Sequence, residues 1–316
     1  MSAPPLRMAV VGVGHLGQHH ARLLASMHGV ELVGVVDTQP GRAMEIASRY
    51  GGEPFLGAAA TIGRVDAVTI AVPTSAHVEV ALGFIERGIP VLVEKPIAAS
   101  LAEADSLLEA SARHGVVVAA GHTERFNPAV TAALPLVDNP RFVEVHRLGT
   151  FPERSLDIDV IFDVMIHDLD LLLATVGSDI TSIEAIGVNV LTPRTDIANV
   201  RLRFASGCIA NLTASRISRE RVRKARFFQR DSYVSIDYAA REVETYRLVA
   251  PNGGAPSAAR PTIEGGKLDV GQQEPLALEL ADFVEAVRGR REPVVTARAG
   301  RDALALATRI ADKMAE

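Results

Sequence analysis

A glycine-rich turn near the start of the chain constrains its fold more than any other feature. The apolar residues 8–11 are followed by Gly12-Val13-Gly14-His15-Leu16-Gly17, a G-x-G-x-x-G pattern, and then by apolar residues at helical spacing. A second apolar segment, residues 31–36, ends in Asp37, which lies 20 residues after Gly17. Strand, turn, helix, strand and acid in this order predict a dinucleotide-binding βαβ unit.

Each part of this pattern has a physical reason. The first glycine permits the tight turn, the second lets the backbone approach a pyrophosphate, and the third allows the helix to pack closely on the strand. The helix N-terminus favours the anion. The alternative is a glycine-rich turn with no ligand. The cofactor-binding residues that we predict here are Gly12, Gly14, His15, Leu16, Gly17 and Asp37.

The acid at the end of the second strand bears on the choice of coenzyme. Asp37 would accept hydrogen bonds from the ribose hydroxyls of the adenosine and would repel a 2′-phosphate, so NAD is favoured over NADP. Arg42 is close enough in sequence to keep NADP possible.

Strands and helices continue to alternate after this unit. A buried strand over residues 66–72 runs into Pro73, Thr74 and His77, which lie where the nicotinamide half of a dinucleotide would rest. For Thr74 and His77 the competing interpretation is helix capping. We predict that all three residues bind the cofactor.

Glu94, Lys95 and Pro96 directly follow the short apolar run of residues 90–93. Open α/β sheets place their ligands at the carboxyl ends of parallel strands, and proline restricts the residue before it to extended conformations. Lys95 is therefore expected to be aimed into the ligand crevice, and we predict that Glu94 and Lys95 both bind the cofactor, with Glu94 near the nicotinamide. The competing interpretation is a surface lysine at the end of a strand.

The pattern changes after about residue 121. Apolar and polar residues then alternate in several segments joined by short turns, which is typical of an antiparallel sheet. One helix, residues 159–176, interrupts these strands, and two helices close the chain. We predict one domain over residues 1–121 and another over residues 122–316.

The helix at 159–176 carries a second candidate group of reactive residues. Asp163 and His167 are four positions apart and would be neighbours on one helix face, where a carboxylate orients an imidazole and raises its basicity. A metal-dependent hydrolase site that also uses Asp168 and Asp170 is one alternative. A helix-stabilising pair without chemistry is another. We expect no metal, since further ligands are not grouped nearby.

Composition excludes several classes of protein. The net charge of −5 and the absence of tryptophan argue against nucleic acid as a partner, and no uncharged run is long enough for a membrane span. The single cysteine, Cys208, rules out an internal disulfide and predicts a reducing compartment, hence the cytoplasm.

The glycine turn, Glu94-Lys95-Pro96 and the Asp163/His167 pair resemble, in order and spacing, the Gfo/Idh/MocA oxidoreductase family. The resemblance implies an α/β fold: an N-terminal Rossmann dinucleotide-binding domain, then a C-terminal α+β domain with an open, largely antiparallel sheet. It also implies homodimers or homotetramers through that sheet. The activity it implies is NAD(P)-linked oxidation of a sugar-like alcohol, with Lys95, His167 and Asp163 as catalytic residues.

Finer motifs around residues 121–128, 157–160 and 196–199 resemble the family branch that holds UDP-N-acetylglucosamine 3-dehydrogenases. We therefore expect oxidation of the 3-hydroxyl of this nucleotide sugar by NAD. The substrate-binding residues that we predict are Arg125, Asn127, Arg154 and His167. An inositol, polyol or glucose dehydrogenase is the nearest alternative. A non-catalytic NAD-binding redox sensor is a third, which the presence of Lys95, Asp163 and His167 argues against.

A basic run between residues 216 and 226 has three interpretations. It comprises Arg216, Arg219, Arg221, Arg223, Lys224 and Arg226. The run would form a solvated hairpin whose charges keep a sheet edge from pairing, or one or two of its arginines, or Arg154 or Arg125, would hold the diphosphate of a nucleotide sugar. The third interpretation, a nucleic-acid surface, is opposed by the acidic chain and by the lack of interleaved aromatic residues.

Overall fold

A computed structural model describes residues 4–151, 158–249 and 262–316 of the chain. The chain divides into two compact units. The first comprises Met1–Thr123 with Glu274–Ala305, and the second Glu124–Gln273 with Leu306–Glu316. The division of the sequence at residues 121 and 122 stays a prediction.

The first unit is built on a six-stranded parallel sheet of order β3-β2-β1-β4-β5-β6. This order reverses between β1 and β4, and in such sheets the ligand crevice lies where the order reverses. The elements, in chain order, are β1 (Leu6–Val11), α1 (Gly17–Ser26), β2 (Val30–Val36), α2 (Pro40–Tyr50), β3 (Glu53–Phe55), β4 (Ala67–Ile70), α3 (His77–Ile85), β5 (Val91–Glu94), α4 (Leu101–His114) and β6 (Val118–Gly121).

The second unit is built on an eight-stranded sheet of order β14-β13-β12-β11-β7-β10-β9-β8. Its strands are antiparallel except for the parallel pair of β7 and β10. The elements are α5 (Pro128–Ala133), β7 (Phe142–Leu148), a π-helical turn (Ile161–Met165), α6 (Ile166–Val176), β8 (Ile180–Val188), β9 (Ile197–Phe204), β10 (Ile209–Ser215), β11 (Val222–Phe228), β12 (Ser232–Asp237), β13 (Glu242–Val249) and β14 (Thr262–Lys267). The predicted fold class is confirmed.

The chain then returns to the first unit through α7 (Pro275–Gly289) and the start of α8 (Ala297–Ala315). Leu280 and Phe283 of α7 pack in the same apolar core as Met8 and Val10 of β1. A bridge between Ala119 and Thr296 adds a backbone contact within this unit. The first unit is therefore completed by residues from near the end of the chain.

Local sequence rules explain why these elements form where they do. Ser100 caps α4, because its hydroxyl accepts a hydrogen bond from the backbone of Glu103, and Glu103 in turn accepts one from the backbone of Ala99. Ser100 followed by Glu103 three positions later predicts a capping box, and these bonds confirm it, with the Glu103 carboxylate bound to the residue before the cap. Gly115 ends the same helix with a φ of 62°, a conformation that costs glycine little.

Three sequence-based expectations differ from the structure. The helix predicted from residue 159 begins as the π-helical turn and becomes α-helical only at Ile166. Residues 182–191 predict a strand that reaches Leu191, but β8 ends at Val188, because the next residues donate their backbone N–H groups to the carboxylate of Asp196. The prediction of a charged hairpin that keeps a sheet edge from pairing is also wrong, since β11 lies inside the sheet and pairs with both β7 and β12.

In the described parts of the chain, we find no helix with the length and apolar character that crossing a membrane requires.

Candidate functional site

Two of the three glycines in the turn are required by the protein's own packing. Gly12 has a φ of +84°, and a Cβ there would lie 2.7 Å from the backbone of Ala71. A Cβ on Gly17 would lie 1.8 Å from the carbonyl oxygen of Gly12. A Cβ on Gly14, by contrast, would meet nothing within 4 Å. The open space at Gly14 fits the place of a pyrophosphate, so the turn fits a bound dinucleotide.

The carboxylate of Asp37 is fixed beside this turn. Its Oδ2 accepts a hydrogen bond from the backbone of Val13 at 3.2 Å, and its Oδ1 accepts one from the backbone of Gln39 at 3.0 Å. A carboxylate held at the end of β2 can accept hydrogen bonds from ribose hydroxyls, as the sequence predicts.

Arg42 also stabilises this turn, through hydrogen bonds from its guanidinium to backbone carbonyl groups. Its Nε donates to the carbonyl oxygen of Val13 at 2.8 Å and its Nη2 to that of Gly14 at 3.3 Å. Its Nη1 pairs with Glu45 at 2.8 Å. To bind a 2′-phosphate, the guanidinium would have to leave these acceptors, which supports the preference for NAD.

Glu94 is held by a residue that the sequence analysis did not single out. Its Oε1 lies 3.0 Å from Nε2 of His20, and its Oε2 accepts from the backbone of Lys95 at 3.3 Å. A Cβ on Gly121 would come within 2.9 Å of the Glu94 carboxyl, so a larger residue there would displace that carboxyl from its present position. The histidine was detectable as the one titratable residue on the buried face of α1.

His77 is buried and uses both ring nitrogens within the first unit. Nδ1 lies 2.9 Å from the carbonyl oxygen of Pro96, and Nε2 lies 2.9 Å from that of Val72. Burial lowers the pKa of His77, against the raising effect of the two carbonyls. The ring therefore ties the segment after β4 to the segment after β5. Its contact with a cofactor stays a prediction.

The other predicted cofactor residues lie at the carboxyl ends of the first strands or on the turn. Thr74 is half-exposed in a single 3-10 turn before α3 and makes no side-chain cap, and Pro73 precedes it. His15 is exposed and packs edge-on against the ring of His19, with centroids 6.0 Å apart. Leu16 is half-exposed. Their roles in binding stay predictions.

Lys95 follows β5 directly and is half-buried, with a cis peptide bond to Pro96. It therefore belongs to the first unit, at the edge of the sheet where the glycine turn also lies. Asp163 and His167 belong to the second unit. Asp163 lies in the π-helical turn, His167 lies in the first turn of α6, and both are half-exposed. π-helical turns inside helices occur frequently at functional sites.

The acids that follow His167 on α6 are buried and paired with arginines. Asp168 receives two hydrogen bonds from Arg147, at 2.7 and 2.8 Å. Arg147 also donates to Glu124 at 3.2 Å and lies over the ring of Tyr238 at 5.1 Å. Burial lowers the pKa of Arg147, but the carboxylates of Asp168 and Glu124 outweigh it and hold the guanidinium charged.

Two predicted substrate-binding residues extend this network. Arg125 forms an ion pair with Asp170 at 2.9 Å. Asn127 is buried, caps α5 by accepting from the backbone of Ala129, and donates to the carbonyl oxygen of Tyr238. Contact between these side chains and a substrate stays a prediction. Arg154, the third such residue, lies outside the described residues.

The metal-dependent alternative finds little support in this arrangement. Asp168 accepts two hydrogen bonds from Arg147, and Asp170 forms an ion pair with Arg125, so both acids are already matched by a cation. Across residues 4–151, 158–249 and 262–316, no three histidine, cysteine or acidic side chains are grouped so that they could hold a metal ion.

The basic run separates into engaged and accessible side chains. Arg216 is buried against Asp196, while Lys224 pairs with Asp237 and Arg226 with Glu144. Arg223 lies opposite Arg147 in the register of β11 and β7, hence on the face of the sheet that packs against α6, and it is exposed. Within residues 4–151, 158–249 and 262–316, Arg223 forms no ion pair with an acidic side chain.

Comparison with known protein families gives two matches. Residues 6–122 match the family described as "Oxidoreductase family, NAD-binding Rossmann fold", with the name Gfo/Idh/MocA. Residues 139–230 match a Gfo/Idh/MocA C-terminal domain. The first match confirms the predicted NAD cofactor.

Individual relatives agree with these families. The chain is 37% identical over 306 residues to a UDP-N-acetylglucosamine 3-dehydrogenase of Acidithiobacillus ferrooxidans, covering 96% of each protein. A solved structure of that organism's UDP-N-acetylglucosamine 3-dehydrogenase GnnA superposes with a TM-score of 0.91 over 98% of both chains, at 36% identity. A scyllo-inositol 2-dehydrogenase (NAD(+)) of Bacillus subtilis is 31% identical over 232 residues, covering 67% of this chain and 68% of the relative.

Proposed function

The chain belongs to the Gfo/Idh/MocA family of NAD-binding oxidoreductases, and from that premise we propose that it oxidises the 3-hydroxyl of UDP-N-acetylglucosamine. The observation that carries the proposal is the similarity to a dehydrogenase of this nucleotide sugar over 96% of both proteins. The braced glycine turn and the fixed carboxylates of Asp37 and Glu94 support the cofactor half of the reaction.

The catalytic roles that we propose fall on three side chains. NAD, when bound over Gly14 and Asp37, supplies the acceptor for the hydride that leaves the sugar carbon. Either Lys95 or His167 takes the hydroxyl proton, and the other stabilises the developing alkoxide. Asp163 orients the ring of His167. The half-exposure of all three side chains supports these roles, because a substrate must be able to reach them.

We further propose that exposed guanidinium groups hold the diphosphate. Arg223 is the strongest candidate in the basic run, because it is accessible on the face of the sheet that carries α6. Planar guanidinium groups bind phosphate oxygens through paired hydrogen bonds, and such anchoring can orient the reacting carbon. Arg125, Asn127 and Arg154 remain proposed contacts for the rest of the nucleotide sugar.

An inositol or other polyol dehydrogenase is the second candidate. The Bacillus subtilis relative supports it, although that similarity spans only two thirds of the chain. A polyol carries no diphosphate, so this alternative gives Arg223 no role in binding.

The deciding experiment compares substrates with the purified protein and NAD. Formation of NADH is followed with UDP-N-acetylglucosamine, free N-acetylglucosamine and scyllo-inositol. An aminotransferase is coupled to the assay to remove the unfavourable 3-keto product. We expect turnover of the nucleotide sugar and far poorer turnover of the free sugar. Equal rates on both sugars would discard the diphosphate anchor, and turnover of inositol alone would establish the second candidate.

Two broader properties belong to the same proposal. We propose a homodimer or homotetramer that associates through the sheet of the second unit, whose open face exposes Ile186 and Val188 to 63% and 46%. We also propose a cytoplasmic location, which agrees with the single, buried Cys208. Light scattering on the purified protein and fractionation of cells that express it would test these two statements.

A further inference from the structure

A buried carboxylate organises the loop that joins β8 to β9. Oδ2 of Asp196 accepts hydrogen bonds from the backbone N–H groups of Val190, Leu191 and Thr192, at 2.8, 2.6 and 2.9 Å. Its Oδ1 accepts one from the hydroxyl of Thr192 at 2.8 Å. Burial acts to raise the pKa of Asp196, but these donors outweigh it and hold the pKa below its ordinary value. The carboxylate is therefore ionised and fully engaged.

Arg216 connects this loop to the start of the helix that carries His167. Its Nε donates to Oδ1 of Asp196 at 2.9 Å and its Nη2 to the hydroxyl of Thr192 at 2.9 Å. Its Nη1 reaches the carbonyl oxygen of Ile158 at 2.6 Å. One guanidinium thus holds the loop and the residue that leads into the π-helical turn.

A second connection runs through the neighbour of Asp196. The backbone of Thr195 donates to Oδ1 of Asp159 at 2.8 Å and accepts from the backbone of Val160 at 3.0 Å. The carbonyl oxygen of Asp159 in turn accepts from the backbone of Asp163 at 3.2 Å. The position of Asp163 therefore depends on the loop that Asp196 organises.

We infer that Asp196 and Arg216 are positioning residues, which fix the π-helical turn so that Asp163 and His167 keep their relative orientation. This inference rests on the proposed function, since it assigns the pair a part in that reaction. Both side chains are almost completely buried, so we assign them an action through the turn and not on a ligand. An ion pair buried this deeply is costly unless hydrogen bonds satisfy its polar atoms, and here the Asp196 carboxylate accepts five and the Arg216 guanidinium donates three to described residues.

The test needs variants that loosen the connection without unfolding the protein. Thr192→Val keeps the size of the side chain and removes the hydroxyl that joins Asp196 to Arg216. Arg216→Lys keeps the charge but cannot reach Asp196 and Ile158 together. Val234→Ala is the matched control, because Val234 is buried in the core of the same unit but lies on β12, which pairs with β11 and β13 and not with β8 or β9.

The first readout does not depend on substrate. The full-length protein is labelled with ring-13C histidine, and the signal of His167, one of nine histidines, is assigned by its loss in His167→Asn. We expect the His167 signal to shift in Thr192→Val and Arg216→Lys, and to stay in place in Val234→Ala. An unmoved His167 signal in both variants would overturn the inference, even if their melting temperatures fell.

The second readout separates kcat from KM. We expect kcat to fall about 10-fold in both variants with an unchanged KM for NAD, because a displaced catalytic group raises the barrier without touching the cofactor site. Val234→Ala should keep its kcat below its melting temperature. Equal kcat losses in all three variants would mean a general effect of stability and would contradict the inference. If the wild type oxidised no sugar, the proposed function would fail, while the histidine spectra would still decide the positioning role.

Discussion

Oε1 of Glu94 lies 3.0 Å from Nε2 of His20, and both side chains are almost completely buried. The pair joins the helix that follows the glycine turn to the end of the strand that precedes Lys95. A buried carboxylate needs partners for its oxygens, and the histidine is one that no local sequence rule supplies. The helix that begins at the glycine turn and the segment that carries Lys95 are therefore held together by the same buried pair.

We predict that His20→Leu lowers the free energy of unfolding by about 1–3 kcal/mol, because it leaves a buried carboxylate oxygen without its partner. The double variant His20→Leu/Glu94→Met should lose less than the single one, since it removes both polar groups. Urea unfolding followed by circular dichroism measures both. His19→Leu, half-exposed one position earlier, is the control, and an equal loss there would contradict the prediction.

Removing the charge at Asp37 should narrow the preference for NADH over NADPH. Asp37→Asn keeps the oxygen that can accept from the backbone of Gln39 while it ends the repulsion of a 2′-phosphate. We expect a change on the order of 1 kcal/mol, about fivefold in relative affinity. Fluorescence titration with both reduced coenzymes measures it. Tighter binding of NADPH by the wild type would refute the assignment.

Folding stability should decrease as the pH falls below about 6.5, in part because of His77. Burial lowers the pKa of its imidazole, so in this range the unfolded chain binds a proton that the folded protein does not. The free energy of unfolding therefore decreases as the pH falls toward the lowered pKa of His77. His77→Gln should weaken this dependence of the melting temperature on pH. His28→Gln, at an exposed position, should leave it as it is.

Arg223→Ala should reduce kcat/KM for UDP-N-acetylglucosamine by about 10- to 100-fold, the effect of losing one or two charge-assisted hydrogen bonds. Turnover of free N-acetylglucosamine should not change. Lys224→Ala is the matched control, because Lys224 neighbours Arg223 in β11, faces the other side of the sheet and pairs with Asp237. The same loss in both variants would point to a disturbed strand and away from a phosphate contact.

Lys95→Ala should keep NADH binding and lose turnover by about 100- to 10,000-fold, the usual contribution of a positioned acid or base. Lys95→Arg separates the two proposed roles: it should recover little if Lys95 takes the proton, because a guanidinium cannot exchange its proton near neutral pH, and more if Lys95 only stabilises the alkoxide. Steady-state rates and coenzyme titrations measure the two effects separately. Near-normal turnover in Lys95→Ala would remove the lysine from the mechanism, and Lys267→Ala, far along the sheet of the other unit, serves as the control.

The sequence predicts the glycine turn well because its requirements are local. Gly12 and Gly17 are demanded by backbone that lies within one βαβ unit and its neighbouring strand, so residue type and spacing carry the signal. Asp37 follows from the same unit. The capping box on α4 is also local, and its prediction is confirmed.

The two buried pairs that hold the site residues in place could not be predicted in the same way. His20 meets Glu94 across 74 residues, and Arg216 meets Asp196 across 20, so each pairing exists only after the sheets form. Arg216 was grouped with exposed arginines because its neighbours in sequence are charged. A run of charged residues shows the composition of a segment, but it does not show which of these side chains will be buried.

Leu280 and Phe283 have a consequence for how the protein is made. They fill the core beneath β1, yet they are synthesised after the whole second unit. A nascent chain that has reached residue 123 carries every strand of the dinucleotide-binding sheet and still exposes the apolar surface around Met8 that α7 later covers. Since chains fold from their N-terminus as they leave the ribosome, this surface stays uncovered while about half of the protein, Glu124–Gln273, is translated, and exposed apolar surface of this kind is what chaperones bind.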